Sequence, residues 1–481
     1  MVAPLSVRLG IAPAERRRGN PARRAELGLV VFASLIVTAA YVVASIGTTA
    51  KVPPHLAVFL AIVLGLGLLA HLGTRYLAPD ATPVLLPLVL MLNGLGYVTL
   101  ASIDQPNLYP PSLQAMWTAV GVAGYVVTLL LVRRTRDLDR YRYLLVLVAV
   151  FLMLSPLIPH FGYAVGAYDE NVRLWVHIGP ISGQPVEFAK ILLVIFFASY
   201  FAEKQELLSI PTTRLGGRLV TDPRPLGPIV LVWGFCMLVL AVEKDVGFAV
   251  LVFVLFIAML WTATGRAGYL LLGVVLFGAG VVVASHLFPQ VDSRIADWLH
   301  PWTRVNLPGG SYQTVQGIYG LGSGGLVGTG MGFGQLSAIP LVGSDYIFAA
   351  IGTEWGLLGS TAVVFAYLLI VGAGLRIAQT ARSDFAKLAA TGLTVILGIQ
   401  SFFIMGGVVR LLPDTGLTLP FMAYGGSALV ANYILVGLLM RISDEGNRPA
   451  LARAATASRV DGDRQEAPSS PAEPLSPAGT R

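Results

Sequence analysis

The chain has a single cysteine, Cys236, among 481 residues, so neither a disulfide framework nor a thiolate metal cluster can be built from it. Charge is scarce as well: 12% of residues are Asp, Glu, Lys or Arg, against about 25% in ordinary soluble domains. A conventional water-soluble fold is excluded. There is no P-loop either, because the glycine-rich stretch GLGSGGLVGTGMGFG (320–334) has no lysine where a nucleotide-binding loop needs one and no strand pattern before it. The net charge of +7 is no nucleic-acid signal, since the arginines cluster where apolar runs end.

What fills the chain instead is apolar sequence, 55% of it. Runs of about 17–25 apolar residues mark membrane spans, near 27–47, 54–71, 82–102, 113–132, 142–159, 186–202, 228–243, 246–263, 269–288, 346–370, 388–408 and 426–441. The reading is an all-α polytopic membrane protein with about twelve transmembrane helices. The loop RRTRDLDRYR (133–142) carries five arginines, and the 203–227 loop, Arg266, Arg376, Arg382, Lys387 and Arg441 fall on the same side. By the positive-inside rule both termini are cytoplasmic, and the large loop between the ninth and tenth spans (289–345) is extracytoplasmic. The first residues, with Arg16, Arg17, Arg18, Arg23 and Arg24 and no long apolar core, read as the cytoplasmic flank of a first span and not as a cleaved signal. Beyond Arg441 the Pro-, Ser- and Ala-rich tail is too polar to pack and is expected to be disordered and cytoplasmic.

The loop at 289–345 interrupts the apolar pattern longest, and irregular glycine-rich backbone of this kind must face water or protein, not lipid. Gly324, Gly325, Gly328, Gly330 and Gly332 are expected to let it fold tightly against helices. It ends at Asp345, before an apolar helix. The outer ends of the spans also hold Arg173, Glu187, Lys190, Lys244, Asp245, Arg294, Arg304 and Arg410. Glu187 and Lys190 share a helix face, either as a local ion pair or as part of a site. Glu354 lies about 13 Å deeper than Asp345 and on the opposite helix face, so the two do not form a carboxylate dyad, and Glu354 needs a partner from another helix. Tyr424, Gly425, Gly426 and Ser427 open the last span, as a helix start or as a turn that contacts substrate. Cations and carboxylates gathered at one membrane face suit an anionic diphosphate and a step that needs a base. An ion-coupled transporter would carry such charges near the midplane, on broken helices.

In order and spacing, NVRLW (171–175), QPVEFAK (184–190), KDVGFAV (244–250), RIADWLHPW (294–302), SYQTVQ (311–316), the glycines of 322–332, DYIFAAIGTEWGLLG (345–359) and PFMAYGGSALVANY (420–433) closely resemble the shape, elongation, division and sporulation glycosyltransferases, the family of RodA and FtsW. The resemblance divides the chain into a basic cytoplasmic segment (1–26), additional N-terminal transmembrane helices (27–132), a glycosyltransferase core (133–442) and the tail (443–481). It implies a peptidoglycan glycosyltransferase of the bacterial cytoplasmic membrane that polymerises lipid II into β-1,4 glycan strands at the outer face, in elongation or division. A class B penicillin-binding protein is the implied partner. Asp345 stands where the family has its catalytic aspartate. Arg173, Glu187, Lys190, Lys244, Asp245, Arg294, Gln313, Tyr424, Gly425, Gly426 and Ser427 fall in the motifs that contact substrate. A divalent cation, Mg2+ or Mn2+, bridging the diphosphate is compatible with this chemistry, although no dedicated metal cage is visible. Two rival functions are a lipid II flippase and a non-catalytic membrane scaffold for a penicillin-binding protein. Asp345, before a helix N-terminus, is expected to be held in its ionised form by the partial positive charge there.

Overall fold

A computed structural model describes residues 20–466 apart from 54, 104, 106, 160, 165–172, 180, 210–212, 216–217, 221–223 and 305–310. The Asn171-Val172 part of the first motif, the segment 1–19 and residues 467–481 lie outside the described residues. The chain runs α1 (Pro21–Thr49), α2 (Leu56–Leu77), α3 (Leu85–Ser102), α4 (Pro111–Leu131), α5 (Arg142–Leu154), β1 (Gly162–Ala164), β2 (Arg173–Ile178), β3 (Ile181–Gly183), α6 (Val186–Ser209), α7 (Gly227–Val242), α8 (Val246–Thr264), α9 (Ala267–Leu287), α10 (Pro289–Leu299), α11 (Tyr312–Gly324), α12 (Ile347–Thr380), α13 (Asp384–Val408) and α14 (Gly426–Glu466). Among the described residues ten helices are long and apolar enough to cross a membrane. The remaining two of the twelve apolar runs are also helical. The stretch Arg142–Leu157 is shorter, and α6 carries Glu187, Lys190, Glu203, Lys204 and Glu206 in its length.

The ends of these helices follow from local chemistry. Asn20 caps α1 through its side chain with Pro21 at the first helical position, and Asp245 caps α8 by accepting from Phe248 N (3.0 Å). Gly265 ends α8 in the left-handed conformation, its N–H bonded to Trp261 O. The centre of the bundle is α6, where Val194, Phe197, Ala198 and Phe201 are wholly buried against α8 and α13. At the other extreme α9 leaves most of its apolar surface exposed, Val274 at 70% and Leu271 at 68%, as a helix solvated by lipid tails requires.

Three features depart from the sequence reading. Between the fifth and sixth apolar runs, where the sequence shows no strand signal, residues 162–164, 173–178 and 181–183 form a small antiparallel sheet in the order β1-β2-β3, with Val176 opposite both Gly162 and Gly183. The last helix does not give way to a disordered tail at 443 but runs on to Glu466. It continues because residues 441–447 are bound to the body: Arg441 donates to Leu77 O (2.9 Å) and Val132 O (2.6 Å), Asp444 accepts from Asp80 N (2.9 Å), and Asn447 donates to Asp80 O (2.9 Å). Finally, α12 is two helices joined at Gly356, whose φ of 65° and ψ of −163° are not helical.

Orientation can be read from two exposed positions. Thr303 and Ser383 are both exposed, and the only cysteine of the sequence, Cys236, is buried. In intact cells a membrane-impermeant maleimide is expected to modify Thr303→Cys and spare Ser383→Cys, because the arginine-rich loops mark the inner face. The opposite labelling pattern would invert the topology.

Candidate active site

Four helix ends and one loop converge on a cavity of about 410 Å³. Its wall includes Lys244 and Asp245 from the α7–α8 turn, Arg294 and Asp297 from α10, Gln313 and Thr314 from α11, and Asp414, Thr415 and Gly416 from the loop after α13. Asp345 lies at its edge: its Oδ2 is 3.9 Å from where a Cβ on Gly416 would stand. Gly416 itself has a φ of 67° and sits under the Arg294 guanidinium, with Nη2 3.4 Å from the same point. Glycine suits this position through both its backbone conformation and the close approach of Arg294.

The short helix α10 is placed by a reciprocal pair of bonds, Trp298 Nε1 to Arg410 O (3.1 Å) and Arg410 Nε to Trp298 O (2.9 Å). Arg294 Nη1 donates to Asp414 O (3.0 Å), and Arg304 pairs with Asp297 (2.6 Å). Three buried atoms on the wall, Asp245 Oδ2, Gln313 Nε2 and Thr415 Oγ1, find no hydrogen-bond partner among the described residues. Buried polar atoms are seldom left unpaired without a functional reason, so this is a pocket prepared for a polar ligand.

Burial, reinforced by the Asp414 carboxylate, pushes Asp345 up to about 7 against the opposing pull of Arg294. This corrects the expectation that the helix N-terminus would hold Asp345 ionised. Such an end is a weak influence, about 0.3–1 kcal/mol, and at Asp345 the desolvation of the carboxyl and the neighbouring Asp414 outweigh it. Burial also raises Asp245 to about 6, opposed by the Phe248 N–H and Arg294. Glu243, just outside the wall, is raised to about 9 by burial and by Asp245.

Of the residues singled out from sequence, Lys244, Asp245, Arg294 and Gln313 line the cavity, and Asp345 borders it. Arg173 is exposed at the start of β2, next to the wall residue Leu174. Lys190 and Glu187 stand behind the wall. Lys190, wholly buried, binds Glu187 Oε2 (2.5 Å) and Gln400 Oε1 (2.9 Å), and Gln400 donates to Thr418 O (2.8 Å). They tie α6 to α13 and to the segment after Asp414. Tyr424 to Ser427 also lie off the cavity. Tyr424 N donates to Gly343 O (2.8 Å), steadying the turn before Asp345. A Cβ on Gly426 would come within 2.3 Å of Trp117, and Gln184 N donates to Ser427 Oγ (3.1 Å). Sequence reasoning missed Asp414, Thr415 and Gly416, and its only available signal was the Pro-Asp-Thr-Gly turn in an outer loop.

The deep carboxylate Glu354 is 2% exposed, and it accepts from Ser102 Oγ of α3 (2.9 Å) and from Gly332 N (2.8 Å). The glycine stretch also bonds the break in α12: Thr329 N to Thr353 O (2.9 Å), Gly330 N to Glu354 O (3.1 Å) and Leu357 N to Gly325 O (2.9 Å). Added Cβ atoms at Gly324 and Gly328 would come within 1.9 and 2.1 Å of carbonyl oxygens of α12, so only glycine allows this approach.

Residues 80–448 match the model of the FtsW, RodA and SpoVE family, described as a cell cycle protein. The chain belongs to this family. It is 39% identical over 439 residues to the peptidoglycan glycosyltransferase RodA of Mycobacterium tuberculosis, covering 90% of this chain and 92% of the relative. Among solved structures it is similar to a chain of a peptidoglycan synthase complex that coordinates polymerization and crosslinking, with a TM-score of 0.60, 23% identity, and coverage of 75% of this chain and 97% of that one. The rod shape determining protein RodA of Thermus thermophilus has a TM-score of 0.53 at 22% identity, over 75% of this chain and 95% of that one. The chain is accordingly a peptidoglycan glycosyltransferase and a multi-pass protein of a bacterial cytoplasmic membrane.

The buried Glu187–Lys190 pair gives a stability prediction for this RodA-like chain. Lys190→Met leaves Glu187 buried beside an apolar chain, a loss of about 3–5 kcal/mol, so thermal unfolding in detergent should come at a clearly lower temperature. Adding Glu187→Leu should restore much of the difference, since replacing both partners removes the uncompensated charge. A Lys190→Met protein that unfolds at the parental temperature would refute the structural role.

Proposed function

We infer that this glycosyltransferase polymerises lipid II, the undecaprenyl-diphosphate-linked disaccharide pentapeptide, at the outer membrane face with Asp345 as its general base. The observation that carries the reading is the meeting of Asp345, Asp414 and Arg294 at a cavity whose buried polar wall atoms lack partners. The acceptor 4-hydroxyl attacks the anomeric carbon of the donor, and Asp345 takes the hydroxyl proton. The bond from that carbon to the diphosphate breaks, and the lipid diphosphate leaves with the electron pair. One displacement at an α-linked donor gives the β-1,4 link by inversion, with no covalent intermediate on the protein. A carboxyl titrating near neutrality suits the task, since it is partly ionised at working pH and still basic enough to accept the proton.

Arg294 and Lys244 are assigned to the diphosphate, whose negative charge grows as it leaves. Arg173, exposed at the rim, is available to a substrate that enters from outside. A magnesium or manganese ion, if used, would be held jointly by Asp345 or Asp414 and the diphosphate oxygens, as such ions commonly are. Among the described residues no group of three His, Cys, Asp or Glu side chains could cage one by itself, and the steps above use the chain's own side chains. The transpeptidase partner is assigned to the class B penicillin-binding proteins, a reading supported by the likeness to a chain of a peptidoglycan synthase complex.

Asp345→Asn keeps the shape of the side chain and removes its basicity. The variant is expected to insert normally and bind lipid II as the parent does. Its rate of glycan polymerisation should fall ~10²-fold or more, the usual loss for a positioned base, as read by gel analysis of products from purified protein. Near-parental polymer from Asp345→Asn would refute Asp345 as the base.

A further inference from the structure

Helices α1 and α2 lie outside the residues that match the family, 80–448, yet the outer end of α1 touches the glycine stretch backbone to backbone. A Cβ on Gly47 would stand 1.9 Å from Met331 O and 3.3 Å from the Phe333 ring. One on Gly332 would stand 2.8 Å from Ala44 O and from Thr48 N. Gly332 is the residue whose N–H reaches Glu354, and its neighbours Thr329 and Gly330 bond the carbonyls of Thr353 and Glu354. Contacts therefore run without a gap from α1 through 329–332 to 353–354. Those two residues end the half-helix 347–355, which begins two residues after Asp345 and is severed from the rest of α12 at Gly356.

The other end of α1 is fixed. Glu26, wholly buried, pairs with Arg23 of its own helix and with His71 Nδ1 of α2 (2.7 Å), and Arg23 donates to Ala81 O. A helix locked at its inner end and pressed on the loop at its outer end is a fixed support. The half-helix needs one, because the break at Gly356 uncouples it from the long helix that follows.

We propose that the outer turn of α1, Ala44 to Thr48, is a positioning element of the glycosyltransferase centre: it holds the 329–333 loop, which holds the half-helix that carries Asp345. This rests on the reading of Asp345 as the base. The competing view is that α1 and α2 only enlarge the membrane body, in which case contact at Gly47 is incidental.

The test compares Gly47→Ala with Gly28→Ala and Gly65→Ala. A Cβ at Gly28 or Gly65 meets nothing within 4 Å, and alanine is favoured over glycine in a helix, so both controls keep parental activity. At Gly47 the methyl group displaces Met331 and the loop with it. Misplacement by about 1 Å can cost up to 10²-fold. The expected result is a kcat reduced ~10-fold or more with KM for lipid II little changed, an altered pH–rate profile, and faster hydrogen exchange over 325–335. If Gly47→Ala does not accumulate, Phe333→Ala, which trims a side chain that is 67% exposed, is expected to lower kcat in the same direction to a smaller extent. Parental kcat, pH profile and exchange in Gly47→Ala, or parental kcat in Phe333→Ala, would overturn the proposal. Should the parent itself make no polymer, the base reading fails, and the exchange measurement still decides whether α1 holds the loop.

Discussion

Backbone polar groups at membrane depth have to find partners inside the protein, and the break in α12 at Gly356 makes that demand where the active site begins. A non-helical residue there frees carbonyls and N–H groups on both sides of it. The glycine stretch supplies their partners, bonding Thr353 O, Glu354 O and Leu357 N, and it closes the Glu354 carboxylate with one more N–H. Side chains on Gly324 or Gly328 would collide with the helix backbone, which accounts for the glycine content of this loop. The half-helix ahead of the break can then stand at its own angle and deliver Asp345 to the cavity.

Charge in this molecule is divided between two kinds of place. Behind the wall, Glu187 and Lys190 neutralise each other and, with Gln400, lock α6, α13 and the segment after Asp414 into one frame. At the cavity the balance is deliberately incomplete. Asp345 has Asp414 as a neighbour of like charge and Arg294 as an opposing one, and Arg294 is itself held to the Asp414 backbone. The same loop therefore holds the guanidinium in position and raises the carboxyl of Asp345, so the proposed diphosphate site and the proposed base share one support.

The spans were legible because apolar runs long enough to cross a bilayer leave little freedom of interpretation. Lys244, Asp245, Arg294, Gln313 and Asp345 came through from motif order, and all five meet around one cavity although they come from four separate parts of the chain. Other features depend on tertiary distances that no local pattern encodes. Asp414 reads as a turn residue until Arg294 and Asp345 are beside it. Lys190 reads either as half of an ion pair with Glu187 or as part of a site until Gln400, 210 positions away, is seen to accept from the same ammonium group. The expectation for Asp345 failed for a quantitative reason: a helix end is a weak influence, and burial beside a second carboxylate is a strong one. The helix beyond Arg441 was hidden because its anchors, Asp80 and the ends of α2 and α4, are far away in sequence.

The central claim is that Asp345 acts as a base tuned by Asp414. It is tested most directly by the pH dependence of kcat/KM for lipid II polymerisation, measured for the parent and for Asp414→Asn. Since the working form is ionised and its carboxyl is raised to about 7, the parental rate should climb as pH rises through neutrality and level off above it. Removal of the neighbouring negative charge should move that climb to lower pH. A parental rate that is flat from about pH 5.5 to 8.5, or a climb that stays in place in Asp414→Asn, would contradict the account.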